Sequence, residues 1–252
     1  MKTNNHISIF VMGYGNFTRI KVPDCYKYVL CGSKTFQYPD SISGIRDSGG
    51  DNISEKNKYY SELTGLFWSW KNDNSSIKGL VCYRRFLLDL FPFPHLIREK
   101  SIKKTLQHYD IILSKPKYLG GLTVEEQLLK GVSKKNCEIL REIISTKFPD
   151  YSLSYERVMK EKSLSAFNIM IAKRELFDSY CSWLFSIFDE MEKIVDANEL
   201  VGYKTRLYAF LSERLLVAWV YKNKLRVKYK TRYNTQWFKF LILKIFRKTE
   251  KQ

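Results

Sequence analysis

The chain has 252 residues, of which 44% are hydrophobic and 27% are charged. These fractions are ordinary for a globular protein and exclude wholesale disorder, and the length suits one large α/β domain or two small ones. The formal net charge of +17 favours polyanionic partners, namely nucleic acid, an anionic membrane face or phosphorylated small molecules.

The sequence carries no pattern typical of a membrane span, a signal peptide or a zinc site. The longest apolar run, residues 215–221, has seven residues, far fewer than the ~18 of a spanning helix. Residues 1–6 lack the features of a signal peptide, so we expect a cytoplasmic protein. The five cysteines form no CxxC pair, and we expect reduced, mostly buried thiols.

The apolar pattern predicts strands that alternate with helices. Strands are expected at residues 7–12, 28–31, 78–83, 110–114 and 166–172. Helices are expected at residues 58–71, 123–147, 174–195 and 207–222, with Asn57 as the N-cap of the first. This alternation predicts an α/β fold with a mainly parallel central sheet flanked by helices. Ligands bind beyond the carboxyl ends of such strands, so the polar segments 32–33, 47–57, 84–85 and 114–117 are expected around one cleft.

The C-terminal segment differs in composition from the rest of the chain. Residues 221–252 contain 11 Lys and Arg and one acid, which predicts a division into a domain at 1–222 and a basic tail at 223–252. Basic and other residues alternate over 222–232, which predicts a short edge strand or an extended arm. The following residues predict a basic amphipathic helix for docking on an anionic membrane surface, or packing on the body or a second subunit. The membrane-binding candidates are Trp237, Phe238, Lys239, Leu241, Lys244, Ile245 and Lys248.

Four blocks carry a resemblance to a known family. They are Asp51-Asn-Ile-Ser-Glu-Lys-Asn57 with Tyr60-Ser-Glu-Leu-Thr64 and Trp68-Ser-Trp-Lys-Asn72; Gly79-Leu-Val-Cys-Tyr-Arg-Arg-Phe86; Phe167-Asn168 with Glu175-Leu-Phe-Asp-Ser-Tyr-Cys-Ser-Trp-Leu184; and Leu211-Ser-Glu-Arg-Leu215. In order and spacing they resemble the domain-of-unknown-function 4422 family, which groups with glycosyltransferase family 111 in bacterial capsule, O-antigen and exopolysaccharide gene clusters. Two positions depart from the family pattern, where His is usual before Tyr-Arg-Arg and His-Lys after the first strand. Here Cys82 and Gly13-Tyr14 stand in those places.

The resemblance implies a GT-A-like fold and an inverting glycosyltransferase. The enzyme would move a hexose, galactofuranose in characterised relatives, from a UDP-sugar to a lipid-linked glycan on the inner face of the cytoplasmic membrane. Two alternatives stay open: a nucleic-acid or polyanion-binding protein, and a catalytically degenerate scaffold of a polysaccharide synthase complex. No nucleic-acid-binding motif is visible, so nucleic acid is not an expected partner, and a homo-oligomer is left open.

Arginine is the predicted stabiliser of the leaving diphosphate. Many GT-A enzymes hold a divalent metal on an Asp-x-Asp after a central strand, but here that strand leads into Arg84 and Arg85. Two guanidiniums can neutralise a diphosphate through bidentate hydrogen bonds. We therefore expect neither a cofactor nor a metal ion, although the sequence leaves a divalent metal open. Side chains alternate along a strand, so only one of the two arginines is expected to reach the ligand; a structural ion pair is the alternative.

The predicted general base is Glu213, followed by Asp51. Glu213 is interpreted as lying near the start of the last long helix, with Arg214 beside it to keep it ionised. The alternative is a structural ion pair at a helix N-terminus, an argument that a helix start near Leu207 weakens. Asp51 lies in a glycine-rich loop, where it could instead organise its own turn.

The donor-binding candidates are short polar residues that follow predicted strands or precede a helix. Small residues allow close approach of a nucleotide, and polar groups ahead of a helix can bind a phosphate or sugar hydroxyls; capping and buried amide roles are the alternatives. Besides the two arginines, the candidates are Gly32, Ser33, Asp47, Asn52, Ser54, Asn57 and Asn168.

Overall fold

The computed structural model describes residues 6–235, which form a nine-stranded sheet covered by helices. The sheet strands are β1 (Ile7–Gly13), β2 (Tyr26–Leu30), β3 (Ile45–Arg46), β4 (Ile77–Cys82), β5 (Arg85–Asp89), β6 (His95–Leu96), β7 (Ile111–Ser114), β10 (Met170–Lys173) and β11 (Val227–Asn234). A two-stranded sheet pairs β8 (Lys117–Tyr118) with β9 (Ser163–Leu164). The helices are α1 (Asn57–Tyr60), α2 (Leu63–Asn72), α3 (Glu99–Thr105), α4 (Val124–Leu128), α5 (Lys134–Lys147), α6 (Ser152–Lys160), α7 (Arg174–Glu192) and α8 (Leu207–Lys222).

The sheet has the strand order β3-β2-β1-β4-β10-β7-β11-β5-β6. The chain leaves β1 for β2 and β3 on one side and returns to β4 on the other. β1 is parallel to both β2 and β4, so their carboxyl ends meet at one edge. The chain adds β2 and β3 on one side of β1 and β4 on the other, which makes this edge a topological switch point, where open α/β sheets bind ligands.

The expected α/β fold is confirmed, but the expectation of a mainly parallel sheet is wrong. β10 runs antiparallel to both β4 and β7, and β5 runs antiparallel to β11 and β6, so the sheet is mixed. The apolar pattern of a buried strand is the same in either direction, because burial depends on the faces of the sheet and not on the partner's polarity.

Both faces of the sheet are buried, as the alternation within β1 shows. Ile7, Ile9 and Val11 belong to one apolar cluster, which contains side chains of α3. Phe10 and Met12 belong to the other, which contains side chains of α2 and α5 to α8. The two-residue period of a strand thus serves two cores.

Backbone turns interrupt three predicted elements. The helix expected at 58–71 breaks at Ser61, which has a φ of 50°, and Asn57 does not cap it but donates its side-chain amide to the Ser61 carbonyl. The helix expected at 123–147 is divided into α4 and α5. In the strand expected at 166–172, β10 begins only at Met170, because Phe167 and Asn168 adopt positive φ values of 77° and 53°.

The beginning of the predicted tail contributes a strand to the sheet. Val227–Asn234 lies between β7 and β5, so it is an interior strand and neither an edge strand nor an extended arm. The division of the chain at residue 222 stays a prediction. The basic amphipathic helix and its membrane-binding candidates lie outside the described residues: Trp237, Phe238, Lys239, Leu241, Lys244, Ile245 and Lys248.

Two findings concern the expectations about membrane spans and cysteines. Within residues 6–235 no helix is both long and apolar enough to cross a membrane. All five cysteines are free, and four of them are buried. The exception, Cys82, is partly exposed and ends β4.

Candidate functional site

A cavity of about 390 Å³ lies at the switch point, beyond the carboxyl ends of β1, β2 and β4. Its wall is completed by the break between α1 and α2 and by the 3-10 helix Gly202–Arg206. We call it the switch-point cavity. Its lining residues are Met12, Gly13, Tyr14, Cys31, Asn57, Lys58, Ser61, Glu62, Cys82, Tyr83, Arg84, Thr205 and Arg206.

The charged lining of the switch-point cavity is mostly cationic. Lys58, Arg84 and Arg206 line it together with one carboxylate, Glu62. Three cations around a concave site attract an anionic ligand, and guanidinium groups suit phosphate oxygens in particular. The cavity can therefore bind a phosphorylated molecule with one carboxylate close to it.

Glu62 is fixed in the cavity by residues from distant parts of the chain. Its Oε1 accepts a 3.0 Å hydrogen bond from the side-chain amide of Asn168, and its Oε2 lies 3.6 Å from the Arg206 guanidinium. Arg206 also donates to the Ser61 hydroxyl at 2.9 Å. The Glu62 side chain is 19% exposed, so it is held in place and still accessible from the cavity.

Glu213 lies behind the cavity and holds the turn that carries Asn168. Its Oε1 accepts the Phe167 backbone N–H at 2.9 Å, and its Oε2 accepts from Arg214 at 2.9 Å. The residue is not at the start of its helix, because α8 begins at Leu207. The helix dipole, which was part of the alternative role, therefore has little effect on Glu213, because that field acts within the first turn.

Burial raises the pKa of Glu213, and the neighbouring carboxylate of Glu62 acts in the same direction. The positive charge of Arg214 and the Phe167 N–H act in the opposite direction. The Glu213 side chain is 14% exposed and does not line the cavity. One of these two carboxylates therefore faces the cavity and the other lies behind it.

The turn that supports both carboxylates consists of two consecutive residues other than glycine with positive φ. Such conformations cost of order 1–3 kcal/mol each and persist where the surroundings hold them. Here the Glu213 carboxylate holds Phe167 and the Glu62 carboxylate holds Asn168. Strained backbone of this kind is concentrated at functional sites.

Arg84 and Arg85 have different surroundings. Arg84 lines the cavity, whereas the Arg85 guanidinium lies 3.8 Å from the ring centroid of Phe167. The Arg232 guanidinium lies 4.7 Å from the same centroid, and burial, followed by the charge of Arg85, lowers the pKa of Arg232. Arg85 thus supports the Phe167 turn, and Arg84 is the arginine of the pair that reaches the cavity.

Three of the candidates for binding the sugar-nucleotide donor, Asp47, Ser33 and Ser54, are hydrogen-bonded to one another. The fully buried Asp47 accepts hydrogen bonds from the backbone N–H groups of Gly32, at 2.8 Å, and Ser33, at 3.0 Å. It also accepts from the hydroxyls of Ser33 and Ser54. Because its oxygens are occupied by the chain itself, Asp47 shapes the loop after β2.

Asn57 packs closely over Gly32 at the wall of the cavity. A side chain at Gly32 would lie 2.6 Å from the Asn57 Cγ, and Gly32 has a φ of +71°. Asn57 lines the cavity and donates to the Thr64 hydroxyl at 3.1 Å. A glycine is therefore required after β2 by backbone conformation and by this contact.

Asp51 and Asn52 lie in the exposed loop before α1 and outside the lining of the switch-point cavity. The Asn72 side chain holds both the N–H and the carbonyl of Asp51. Asn52 donates to the carbonyls of Ser48 and Gly50. Both residues organise the loop itself, and the structure does not bring Asp51 to the cavity.

Glu62, Lys58 and Arg206 were missed as site candidates. Glu62 stands inside one of the blocks that carry the family resemblance, Tyr60-Ser-Glu-Leu-Thr64, and that position was the available indication. The expected continuous helix concealed it, because the break at Ser61 is what turns Glu62 towards the cavity. Arg206 follows no recognisable motif and reaches the site only through the path of the chain.

Neither the described histidines and cysteines nor the acids form a metal-binding cluster. Between residues 6 and 235, no group of three or more His, Cys, Asp or Glu lies close enough together to hold a metal ion.

The family model of the domain of unknown function DUF4422 matches residues 9–224. The chain belongs to this family. Cys82, which stands where the resemblance leads one to expect a histidine, lines the switch-point cavity of this DUF4422 protein. The departure from the family pattern is therefore located at the candidate site. None of the curated proteins is similar enough to count as a match.

A solved structure, "WbbM bifunctional glycosytransferase apo structure", has the same fold. The TM-score is 0.79 at 23% sequence identity, and the match covers 92% of this chain and 46% of that chain. The DUF4422 protein thus spans about half the length of that structure. At this identity the likeness establishes the fold, and activity has to be argued from the site.

Proposed function

We propose that this DUF4422 protein is an inverting glycosyltransferase that transfers a hexose from a UDP-sugar. The observation that carries the proposal is the switch-point cavity, which combines three cationic side chains with one accessible carboxylate. Its fold is that of a solved bifunctional glycosyltransferase. Sugar transfer needs cations that bind the diphosphate of the donor and a group that accepts a proton from the acceptor hydroxyl. This lining provides both.

Arg84 is the proposed main stabiliser of the leaving UDP, assisted by Lys58 and Arg206. As the bond between the anomeric carbon and the phosphate oxygen breaks, negative charge grows on the diphosphate. Fixed cations in a partly enclosed site stabilise that charge more than they stabilise the intact donor. The proposed reaction needs no metal ion, because the guanidiniums take the place of the divalent cation.

Glu62 is the proposed general base. It would take the proton from the acceptor hydroxyl while the hydroxyl oxygen bonds to the anomeric carbon from the side opposite the leaving UDP. This single displacement inverts the anomeric configuration. Glu213, which the sequence predicts as the base, is the alternative. Its other proposed role is to hold the Phe167 turn through the hydrogen bond from the Phe167 N–H.

The identity of the sugar and the acceptor rests on the family resemblance. It favours galactofuranose as the transferred hexose and a lipid-linked capsule, O-antigen or exopolysaccharide precursor as the acceptor. The tail after residue 235 would then serve membrane association on the cytoplasmic face. These finer assignments guide the choice of substrates for the test.

Thermal unfolding with UDP tests the nucleotide site directly. A ligand at 100 times its dissociation constant stabilises the native state by about 2.7 kcal/mol, so UDP in EDTA should raise the midpoint by several degrees. Arg84→Ala should remove most of that shift, and Lys130→Ala, on an exposed position outside the cavity lining, should retain it.

Three outcomes separate the parts of the proposal. A shift that requires Mn²⁺ would keep the transferase and overturn the role of Arg84. A UDP shift in EDTA without transfer from UDP-galactofuranose or other UDP-hexoses to a lipid-linked acceptor would favour the degenerate scaffold. The absence of any shift would contradict the nucleotide-sugar site altogether.

A further inference from the structure

A second concave surface lies at the other end of β5 from the switch-point cavity. It encloses about 740 Å³ between the β5–β6 connection, α3 and β11, and we call it the basic groove. Six cationic side chains and one carboxylate, Asp89, line it. The cations are Arg98, Lys100, Lys104, Lys115, Lys228 and Lys230.

Most of these cations are not neutralised within the described residues. Lys230 pairs with Asp89. Arg98, Lys100, Lys104 and Lys115 are exposed, and in the part of the chain from 6 to 235 they form no ion pair. The groove therefore presents at least four solvated positive charges close together, which is an attractive field for an extended anionic surface.

An apolar tip stands beside the basic groove. The connection from β5 to β6 reads Leu-Phe-Pro-Phe-Pro over residues 90–94, and its two rings are the most exposed in the described chain, with Phe91 87% and Phe93 78% exposed. Leu90 is also exposed. Two rings almost wholly in water at one hairpin tip are unfavourable for a protein that stays in water, and they indicate a surface that is covered during function.

We propose that the apolar tip and the basic groove together dock this protein on an anionic lipid membrane. Apolar rings that enter the boundary between headgroups and acyl chains, flanked by cations that meet anionic headgroups, are the two components of interfacial membrane binding. A nucleic-acid groove would instead place its aromatic rings along the cationic track for base stacking. Here the two most exposed rings, Phe91 and Phe93, lie together on the β5–β6 connection, and the less exposed Tyr229 also lines the groove.

The position of this surface relative to the switch-point cavity is consistent with action on a membrane-bound substrate. β5 connects the two sites: Arg84, just before it, lines the cavity, and Leu90, just after it, lines the groove. A strand of five to six residues spans about 17–20 Å. Docking would therefore hold the cavity about one strand length from the lipid headgroups. The docking itself does not depend on the proposed sugar chemistry.

Co-sedimentation of the full chain with lipid vesicles tests the proposal. The wild-type protein should bind vesicles of phosphatidylcholine with about 30% phosphatidylglycerol and bind pure phosphatidylcholine at least tenfold more weakly. Phe91→Ala with Phe93→Ala should weaken binding by at least about tenfold. Lys100→Glu with Lys104→Glu should weaken it by about 25-fold or more, since each nearby cation contributes about fivefold.

Matched variants keep the test independent of the tail and of overall charge. Leu153→Ala removes another highly exposed apolar side chain, and Lys130→Glu with Lys147→Glu makes the same charge change on exposed positions elsewhere. Both controls should bind like the wild type, and far-ultraviolet circular dichroism should show that all variants are folded.

Three results would overturn the proposal. Unchanged vesicle binding in both the double phenylalanine variant and the double lysine variant would assign membrane binding to another part of the chain. Equal binding to neutral and anionic vesicles would remove the role of the cations. If the variants lost binding to single-stranded RNA but retained vesicle binding, the groove would be a nucleic-acid site.

Discussion

Asn168 donates a 3.0 Å hydrogen bond to Oε1 of Glu62 across 106 residues of chain. Its neighbour Phe167 donates its backbone N–H to Oε1 of Glu213. One left-handed turn therefore positions two carboxylates, one from the break between α1 and α2 and one from α8. The geometry of the candidate base depends on this turn.

Glu62→Gln is expected to abolish sugar transfer while leaving the UDP-induced thermal shift intact. The amide keeps the shape of the side chain but takes up no proton, and loss of general-base catalysis costs about 10²–10⁴-fold in rate. Glu213→Gln is the matched comparison and should reduce kcat less. The measurement is the rate of transfer at saturating donor. A larger loss in Glu213→Gln than in Glu62→Gln would restore Glu213 as the base.

Substitutions at Asn168 should separate its hydrogen bond from its backbone conformation. Asn168→Gly keeps the positive φ at no steric cost and removes the donor to Glu62, so we expect kcat to fall about tenfold with little change in KM for the UDP-sugar. Asn168→Asp places a negative charge beside Glu62 and should reduce kcat further. Wild-type kcat in both variants would show that Asn168 does not position Glu62.

Asp47→Ala should destabilise the protein by about 2–4 kcal/mol, because it leaves two backbone N–H groups and two hydroxyls without their buried acceptor. Asp51→Ala, four residues along in the exposed part of the same loop, should change the free energy of unfolding by no more than about 0.5 kcal/mol. Urea unfolding measures both values. Equal stability of the two variants would contradict the structural role of Asp47.

The raised pKa of Glu213 predicts a specific pH dependence of stability. Between the unfolded value of about 4.3 and the raised native value, the native state binds more protons than the unfolded state. Stability from this group is therefore greatest at low pH and falls as pH rises through that window. In urea unfolding, the free energy of unfolding of the wild type, compared with that of Glu213→Gln, should decrease as the pH is raised from 4.5 to 7.5.

Glu55 provides the control for this pH series. Its pKa is lowered, mainly by a backbone hydrogen bond, so it contributes stability above its unfolded pKa and loses it as pH falls. The stability of the wild type relative to Glu55→Gln should therefore increase as pH rises, the opposite of the Glu213 pair. The change should be small because the Glu55 side chain is exposed. Parallel curves for the wild type and Glu213→Gln would contradict the burial of Glu213.

The sequence determined the elements with strong apolar periodicity. β1, α7 and α8 lie close to their predicted positions, because a buried strand and an amphipathic helix need little more than the local pattern. Of the polar segments expected around one cleft, 47–57 and 84–85 contribute Asn57 and Arg84 to the switch-point cavity, whereas 114–117 does not line it and Lys115 lies at the basic groove. The family blocks identified the DUF4422 family, which the match over residues 9–224 shows.

Only the tertiary structure decided strand direction, the left-handed turns and the choice of carboxylate at the cavity. The mixed sheet arises because a strand's pattern records burial and not the polarity of its neighbour. The positive φ values of Ser61, Phe167 and Asn168 are enforced by contacts with residues far along the chain. Such contacts leave no pattern in the local sequence, so the position of Glu62 at the cavity could be read only from the folded structure.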